Sequence, residues 1–558
     1  MADSCSVASV LERSATRRPA HPALVFDGVS LSYAELWTGA LRYAAALRAR
    51  GLAAGDKVAL LLPNAPVFPL AYYGALALGA VVVPVHAGSR TPEITHVLRD
   101  SGAKALICSR SLLAHGAPAA HATGTAVLAV HDAGTGAGGG PEPAPDGGPE
   151  PAAGGGPAPA ADECGFPLLD REAEAAPPLR GPVPRGEDDI ALVLYTSGTT
   201  GTPKGVMLTH RGVLANITVS ARTPFAFEDD DVLLGTLPLS HTFGQICGMG
   251  VCFHSGATLV LMDRFDGPRA LDLAVTHHCT VVMGVPTMYL ALLDAAACDT
   301  RRPPLRRAYS GGSSLAPTVL ARVEAELGCP VYEGYGLTET SPSVSYNQPG
   351  LPRRPGTVGL PLPGVEVAIA DPDPDSATAT GPGPAGRIRL LPDGARGEIV
   401  VRGHNVMAGY LGRPEATAEV LVDGWLRTGD IGAKDADGCL RVLDRKKDVV
   451  ISGGYNVYPR EVEEVLLGHP RVAQAAVFGV PHDTLGEAVH AVLRVAAPEK
   501  PEELAEEILA WTRHRLARHK CPRRVTFTDA FPVGPTGKVL RHRLAADWSP
   551  NSTPATPR

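Results

Sequence analysis

Tyr195-Thr-Ser-Gly-Thr-Thr-Gly-Thr-Pro-Lys-Gly-Val206 is the stretch around which the rest of the chain is read. It follows the apolar run Ile190 to Leu194, which has the composition of a buried strand, and precedes a helix-like segment around His210 to Ser220. A strand, a turn rich in glycine and hydroxyls, and then a helix together present backbone N–H groups to phosphate oxygens. Gly198, Gly201 and Gly205 allow tight backbone paths, Thr196, Ser197, Thr199 and Thr200 supply hydroxyls, and Lys204 supplies a positive charge. It is not a Walker loop, because Pro203 and Gly205 stand where that motif needs Gly and Ser or Thr.

Outward from this loop, the first hundred residues alternate strand and helix. Ala23 to Phe26 and Val29 to Ser32 flank Asp27-Gly28, a hairpin signal, and Tyr33 to Arg50 has the pattern of an amphipathic helix ending at Gly51. Lys57 to Leu62 and Ala80 to Val85 are expected strands and Val67 to Leu78 a helix, so a helix-covered, largely parallel sheet is expected. Residues 114–184 depart from the pattern, above all the Gly/Ala/Pro-rich 134–161, and are expected to be a flexible insertion. From about Gly356 short strands suggest a small β unit, and after Asp444 helices and strands suggest a separate α+β unit.

Bulk properties narrow the function classes. The 558 residues correspond to about three to four domain-sized units. A net charge of −7 lacks the basic footprint of a general nucleic-acid binder. The ten cysteines show no CxxC or zinc-type spacing and read as reduced thiols. The most apolar window, Val67 to Val85, is broken by Pro69, Gly74, Gly79 and Pro84, so no integral membrane segment is expected and the location expected is cytoplasmic.

Further motifs follow in order: Leu237-Pro-Leu-Ser-His-Thr-Phe-Gly244, Tyr309-Ser-Gly-Gly-Ser-Ser314, Tyr332-Glu-Gly-Tyr-Gly-Leu-Thr-Glu-Thr340, Gly424-Trp-Leu-Arg-Thr-Gly-Asp430, Asp444-Arg-Lys-Lys-Asp448 and Gly534-Pro-Thr-Gly-Lys538. An aromatic face for a base, a hydroxyl for a phosphate and a carboxylate for a hard cation all occur in the third. Together with the glycine-rich loop, they closely resemble the motifs of adenylate-forming enzymes, the superfamily of acyl-CoA synthetases, peptide-synthetase adenylation domains and luciferases. Gly284-Val-Pro-Thr-Met-Tyr289 and Val401-Arg-Gly-His-Asn-Val-Met-Ala-Gly-Tyr410 look most like fatty-acyl-CoA synthetases.

The resemblance implies an α/β fold: a large N-terminal domain over 1–444 built from helix-covered sheets and a small β unit, a small mobile α+β domain over 445–548, and a disordered tail, 549–558. It implies that an ATP-dependent ligase activates a carboxylic acid, a fatty acid by motif, as acyl-AMP and passes it to coenzyme A. By resemblance the loop Thr196, Ser197, Gly198, Thr199, Thr200 and Gly201 binds the phosphates with Lys204, and Gly312, Ser313, Glu333 and Gly334 line the nucleotide pocket. Tyr335 stacks on adenine, Thr338 meets the α-phosphate, Glu339 ligates Mg2+, Asp430 accepts from the ribose hydroxyls and Arg445 contacts the nucleotide. His241, Phe243 and Gly312 form the acyl pocket, Lys447 is the hinge, Gly453 and Gly454 border pantetheine, and Lys538 is the catalytic lysine. Amino-acid-activating relatives usually place an acid in the His241 motif, and none lies between Leu237 and Met249. The alternatives are a fatty acyl-AMP ligase serving an acyl carrier protein and an aryl-CoA ligase of a natural-product pathway. A non-catalytic nucleotide binder is disfavoured by the presence of Lys538 and Glu339.

Overall fold

The computed structural model describes residues 6–131, 165–196, 202–372, 388–495, 500–534 and 539–546. The Gly/Ala/Pro-rich segment 134–161, the loop residues Ser197–Gly201, Lys538 and the tail lie outside them. Four sheets organise the chain. The first has seven strands, and Lys57–Leu61, Val81–Val85, Ala105–Ser109, Ala126–Val130 and Ile190–Thr196 form its parallel part. Val81-Val-Val-Pro-Val85 is buried throughout, as expected of a parallel strand covered on both faces. The second has nine strands and includes Val232–Gly235, Thr258–Leu261, Val281–Gly284, Arg307–Ser310, Val331–Gly336 and Ser343–Tyr346.

Helices Tyr33–Ala49 and Val67–Ala77 join one apolar cluster that includes Leu60 and Val82 of the first sheet and Leu233, Leu259 and Val281 of the second. Ser32 starts the first helix through a reciprocal capping box with Glu35. Every residue of Val67–Ala77 is buried. A Cβ at Gly74 would lie 2.7 Å from Tyr43 Cβ and 2.9 Å from the Ala40 carbonyl, so only glycine lets these two helices approach so closely. Among the described residues no helix is long and apolar enough to cross a membrane.

The third sheet, five-stranded, is the expected small β unit: Val365–Ala370, Arg396–Gly403, Trp425–Lys434, Leu421–Val422 and Leu440–Arg445. The fourth, with Val450–Ser452, Tyr455–Val457, Val472–His482, Gly486–Val495 and Arg524–Phe527, packs on helices Pro459–Leu467 and Pro501–Arg513 as the small C-terminal domain. The eight cysteines among the described residues are free, in line with the reduced thiols expected.

Two expectations need correction. The glycine-rich loop does not lead into a helix. Lys204–Thr209 is a second strand, antiparallel to Ile190–Thr196 with Thr196 opposite Lys204, and helix His210–Arg222 begins beside Ile190. The helix N-terminus therefore lies at the far end of a hairpin from the loop. Three apolar residues, Val206-Met-Leu208, are too few to reveal a strand by period, and their pairing with the neighbouring strand decides it. The insertion is also narrower than 114–184, since most of helix Leu113–His121 and all of strand Ala126–Val130 and helix Leu169–Ala175 lie within that range.

The flanks of the insertion meet. Ala129 bridges Leu168, its N–H donates to Pro167 O at 2.8 Å, and His131 N–H donates to Asp170 at 3.0 Å. Doubling a loop costs only about 0.6 kcal/mol of closure entropy, so removing 134–161 should change little beyond the loop itself. We expect the deletion to retain soluble yield and the thermal unfolding midpoint, with turnover within roughly twofold of wild type. Lost activity in a folded protein would assign the segment a functional part.

Candidate active site

The end of the hairpin carries Lys204, whose Nζ stands 5.1 Å over the Tyr410 ring. Tyr410 is held there because Gly409–Tyr410 pairs with Val206–Met207 and because Leu411 N–H donates to Gly205 O at 2.8 Å. Its hydroxyl donates to Glu339 Oε1 at 3.0 Å. Glu339 belongs to the short 3-10 turn Thr338–Thr340, and its carbonyl accepts from Met407 N at 2.8 Å. The segment 407–411 thus laces the lysine strand to the acidic turn. Burial pushes the Glu339 carboxyl up, opposed by the Tyr410 hydroxyl and by the Arg445 charge.

Glu339 meets the requirements of a magnesium ligand. Mg2+ is usually held by one or two carboxylates together with substrate phosphates and water. A half-buried carboxylate whose charged form is disfavoured gains from a cation, and no group of three or more metal-ligating side chains among the described residues could hold one alone.

A second cluster forms where the strand Val331–Gly336 meets the third sheet. Tyr335 is 9% exposed, and its hydroxyl donates to Asp430 Oδ2 at 2.7 Å. Arg445 Nε lies 3.1 Å from the other carboxylate oxygen, Asp430 Oδ1, and the two residues are direct cross-strand partners. Glu333 is buried, accepts from Gly356 N at 3.2 Å, and is pushed up to about 7 by burial. Gly312 has φ +77° and is exposed in the turn after Arg307–Ser310, as is Ser313, while Gly334 is half-buried opposite Tyr346.

The acyl-pocket candidates sit where a π-helix, Phe243–Gly250, begins. His241 is half-buried, and its Nδ1 accepts from Phe243 N at 3.2 Å. Phe243 is buried, with its ring against Gly311, where an added Cβ would stand 3.1 Å from it. Asn64 holds the preceding turn through Leu239 N and Leu237 O. Met249, Met283 and Met288 belong to the buried core.

Lys447 is exposed in the 3-10 turn Lys446–Asp448, between the third and fourth sheets. Gly453 and Gly454, at φ +59° and +81°, form the exposed turn of the hairpin Val450–Val457. Lys538 and Ser197–Gly201 lie outside the described residues, so their placement relative to this cluster is not part of the geometry.

Three residues escaped the sequence reading. Tyr410 was quoted only as part of a longer motif, and its position between Lys204 and Glu339 arises from strand pairing. Asp444 accepts from Arg445 N at 2.8 Å and Arg460 N at 2.9 Å, and it lies 3.6 Å from Arg541 Nη1. Arg541, three residues beyond Lys538, also pairs with Glu463 at 2.6 Å and with Asp448 at 3.6 Å. A carboxylate of the third sheet therefore holds two segments of the C-terminal unit. Only the proximity of Arg541 to Lys538 in the chain could have drawn notice to it.

Residues 11–411 match the family model described as AMP-binding enzyme, and residues 461–538 match that of the AMP-binding enzyme C-terminal domain. The chain is 34% identical to a long-chain-fatty-acid–CoA ligase of Bacillus subtilis, over 97% of this chain and 94% of that one. It is 36% identical to a feruloyl-CoA synthase of an Amycolatopsis species, over 95% of this chain and 96% of that one. The crystal structure of ATP-bound MatB from Rhodopseudomonas palustris superposes with a TM-score of 0.82 at 31% identity, covering 97% of this chain and 98% of that one.

Proposed function

The chain belongs to the AMP-binding enzyme family, among its AMP-forming CoA ligases, and from that premise we propose that it converts a carboxylic acid to its CoA thioester in two half-reactions within one site. In the first, a carboxylate oxygen of the acid attacks the α-phosphorus of ATP. The bond to pyrophosphate breaks, and acyl-AMP forms. In the second, the CoA thiolate attacks the acyl carbon, the thioester forms, and AMP leaves.

The observation that carries this reading is the convergence of Lys204, Tyr410 and Glu339 beside the Tyr335–Asp430–Arg445 cluster. It supports a division of labour in which Lys204, with the loop Thr196–Gly201, binds the pyrophosphate half of ATP. Thr338 meets the α-phosphate, and Gly312, Ser313, Glu333, Gly334 and Tyr335 hold the base. Asp430 takes the ribose hydroxyls beside Arg445. Glu339 would hold magnesium, which neutralises phosphate charge when bound. Phosphoryl chemistry of this kind depends on position and charge neutralisation, so fixed donors and cations suffice. Lys538 completes the charge stabilisation of the first half-reaction. We place the domain boundary near 444/445 and the hinge at Lys447, with Gly453 and Gly454 at the pantetheine path in the second half-reaction.

The motifs Gly284–Tyr289 and Val401–Tyr410 resemble those of fatty-acyl-CoA synthetases, but the packed core behind Phe243 outweighs that resemblance and favours a compact acid. The test is a panel of carboxylic acids with ATP, magnesium and CoA, read as both pyrophosphate release and thioester formation. Acid-dependent release of pyrophosphate with equimolar thioester is the expected result. Pyrophosphate release with thioester formed only on a holo-carrier protein would replace CoA by a carrier as acceptor, and release stimulated only by amino acids would overturn the reading.

A further inference from the structure

Strands Val331–Gly336 and Ser343–Tyr346 are antiparallel with Gly334 opposite Tyr346. A Cβ at Gly334 would stand 1.9 Å from the Tyr346 ring, so the ring lies across the backbone of a nucleotide-pocket candidate, in space that only glycine leaves free. The Tyr346 hydroxyl extends further, to 3.5 Å from the Cβ position of Gly311, on which Phe243 also packs. It reaches the Ser343 side chain, whose Oγ is 3.2 Å from Cys247 Sγ. Tyr346 therefore meets Gly311, next to the acyl-pocket candidates Gly312 and Phe243, as well as Gly334 of the nucleotide-pocket candidates.

The ring has no room to swing aside. Phe225 is edge-on to Tyr346 at 5.0 Å and to Tyr309 at 4.8 Å, and Tyr309 stacks on Tyr332 at 5.5 Å. Tyr346 is 4% exposed and Phe225 and Tyr309 are fully buried, in one cluster with Cys247, Met249 and Met283. A long alkyl tail would have to pass through this packed wall, and overpacked cores resist added methylenes.

We propose that Tyr346 is the specificity-determining floor of the acyl pocket, and that it restricts the acid to compact acids, no larger than a single ring with a short side chain, excluding long-chain fatty acids. Tyr346 takes this part only within the carboxylic acid–CoA ligase proposed above. It touches the far end of the acid and none of the reacting atoms.

The test uses the full-length protein with ATP, magnesium and CoA, and benzoate, 4-hydroxycinnamate and hexadecanoate as acids, in wild type, Tyr346→Val and Tyr346→Phe. Wild type should favour at least one aromatic acid over hexadecanoate by ~100-fold or more in kcat/KM, the scale of a pocket that rejects several methylenes. Tyr346→Val should raise kcat/KM for hexadecanoate by ~10-fold or more through KM for the acid, with KM for ATP unchanged. Tyr346→Phe keeps the ring, so it should retain the size limit and fold even where valine does not. Preference for hexadecanoate in wild type, or loss of the size limit in Tyr346→Phe, would overturn the assignment of Tyr346 while leaving the ligase reading intact. A hexadecanoate rate in folded Tyr346→Val no higher than in wild type would do the same. Absence of pyrophosphate release with every acid would instead overturn the ligase reading.

Discussion

Lys538→Ala should lower acyl-AMP formation by at least ~100-fold, the scale of losing one charge-stabilising donor, while synthetic acyl-AMP and CoA still yield thioester at close to the wild-type rate. The domain rotation between the half-reactions is expected to carry the lysine out of the site, so that its charge serves the first and not the second. A lysine that serves only the first therefore separates the two. Arg541 is tied to Glu463 at 2.6 Å and lies 3.6 Å from Asp444, so the chain just beyond Lys538 is anchored beside the strand that carries Arg445. Single-turnover measurement of each half-reaction checks the separation. Equal damage to both would mean that Lys538 acts in neither role specifically, or that its loss disturbs the domain as a whole.

Lys447→Pro should spare pyrophosphate release in a single turnover and reduce thioester formation from acyl-AMP and CoA by ~100-fold or more, the scale of a catalytic group misplaced by an ångström. Lys447 lies between two units whose contacts are visible. Asp444, on the last strand of the third sheet, accepts from Arg460 N at 2.9 Å and lies 3.6 Å from Arg541. A rotation about Lys447 must break these contacts and change its backbone dihedrals. Proline fixes φ near −65° and restricts Lys446 before it, so one arrangement is trapped. The adenylating arrangement is the one expected to persist. Wild-type rates in both half-reactions would show that the hinge lies elsewhere, and loss of both with unchanged heat stability would mean that another arrangement was trapped.

The alternation of apolar runs with amphipathic helices was enough to anticipate a helix-covered, largely parallel sheet, a β unit after Gly356 and an α+β unit after Asp444. Those features are local, and they follow from side-chain periods of 2 and 3.6 within single elements. The motif residues could be singled out for a similar reason, since Tyr335 and Asp430 lie in strands directly beside glycines and Glu339 in a turn just after one. Lys204 was identified as the charged member of its loop, but its setting was misread. A strand of six residues, Lys204–Thr209, is defined by its partner across the hairpin and not by its own composition.

What the sequence by itself determined is the chemistry: a lysine on a hydroxyl-rich loop, an acidic turn, an aspartate and an arginine ahead of a basic turn, in an order that marks a family. Tertiary structure alone decided which of these residues meet and what bounds them. Tyr410 joins Lys204 to Glu339 through strand pairing more than 200 residues apart in the chain, and Asp444 gathers Arg460 and Arg541 across two units. Tyr346 becomes the floor of a pocket because its register places it opposite a glycine. Contacts of this kind depend on sheet register and on packing between distant elements, and a residue's own neighbours in the chain carry no record of either.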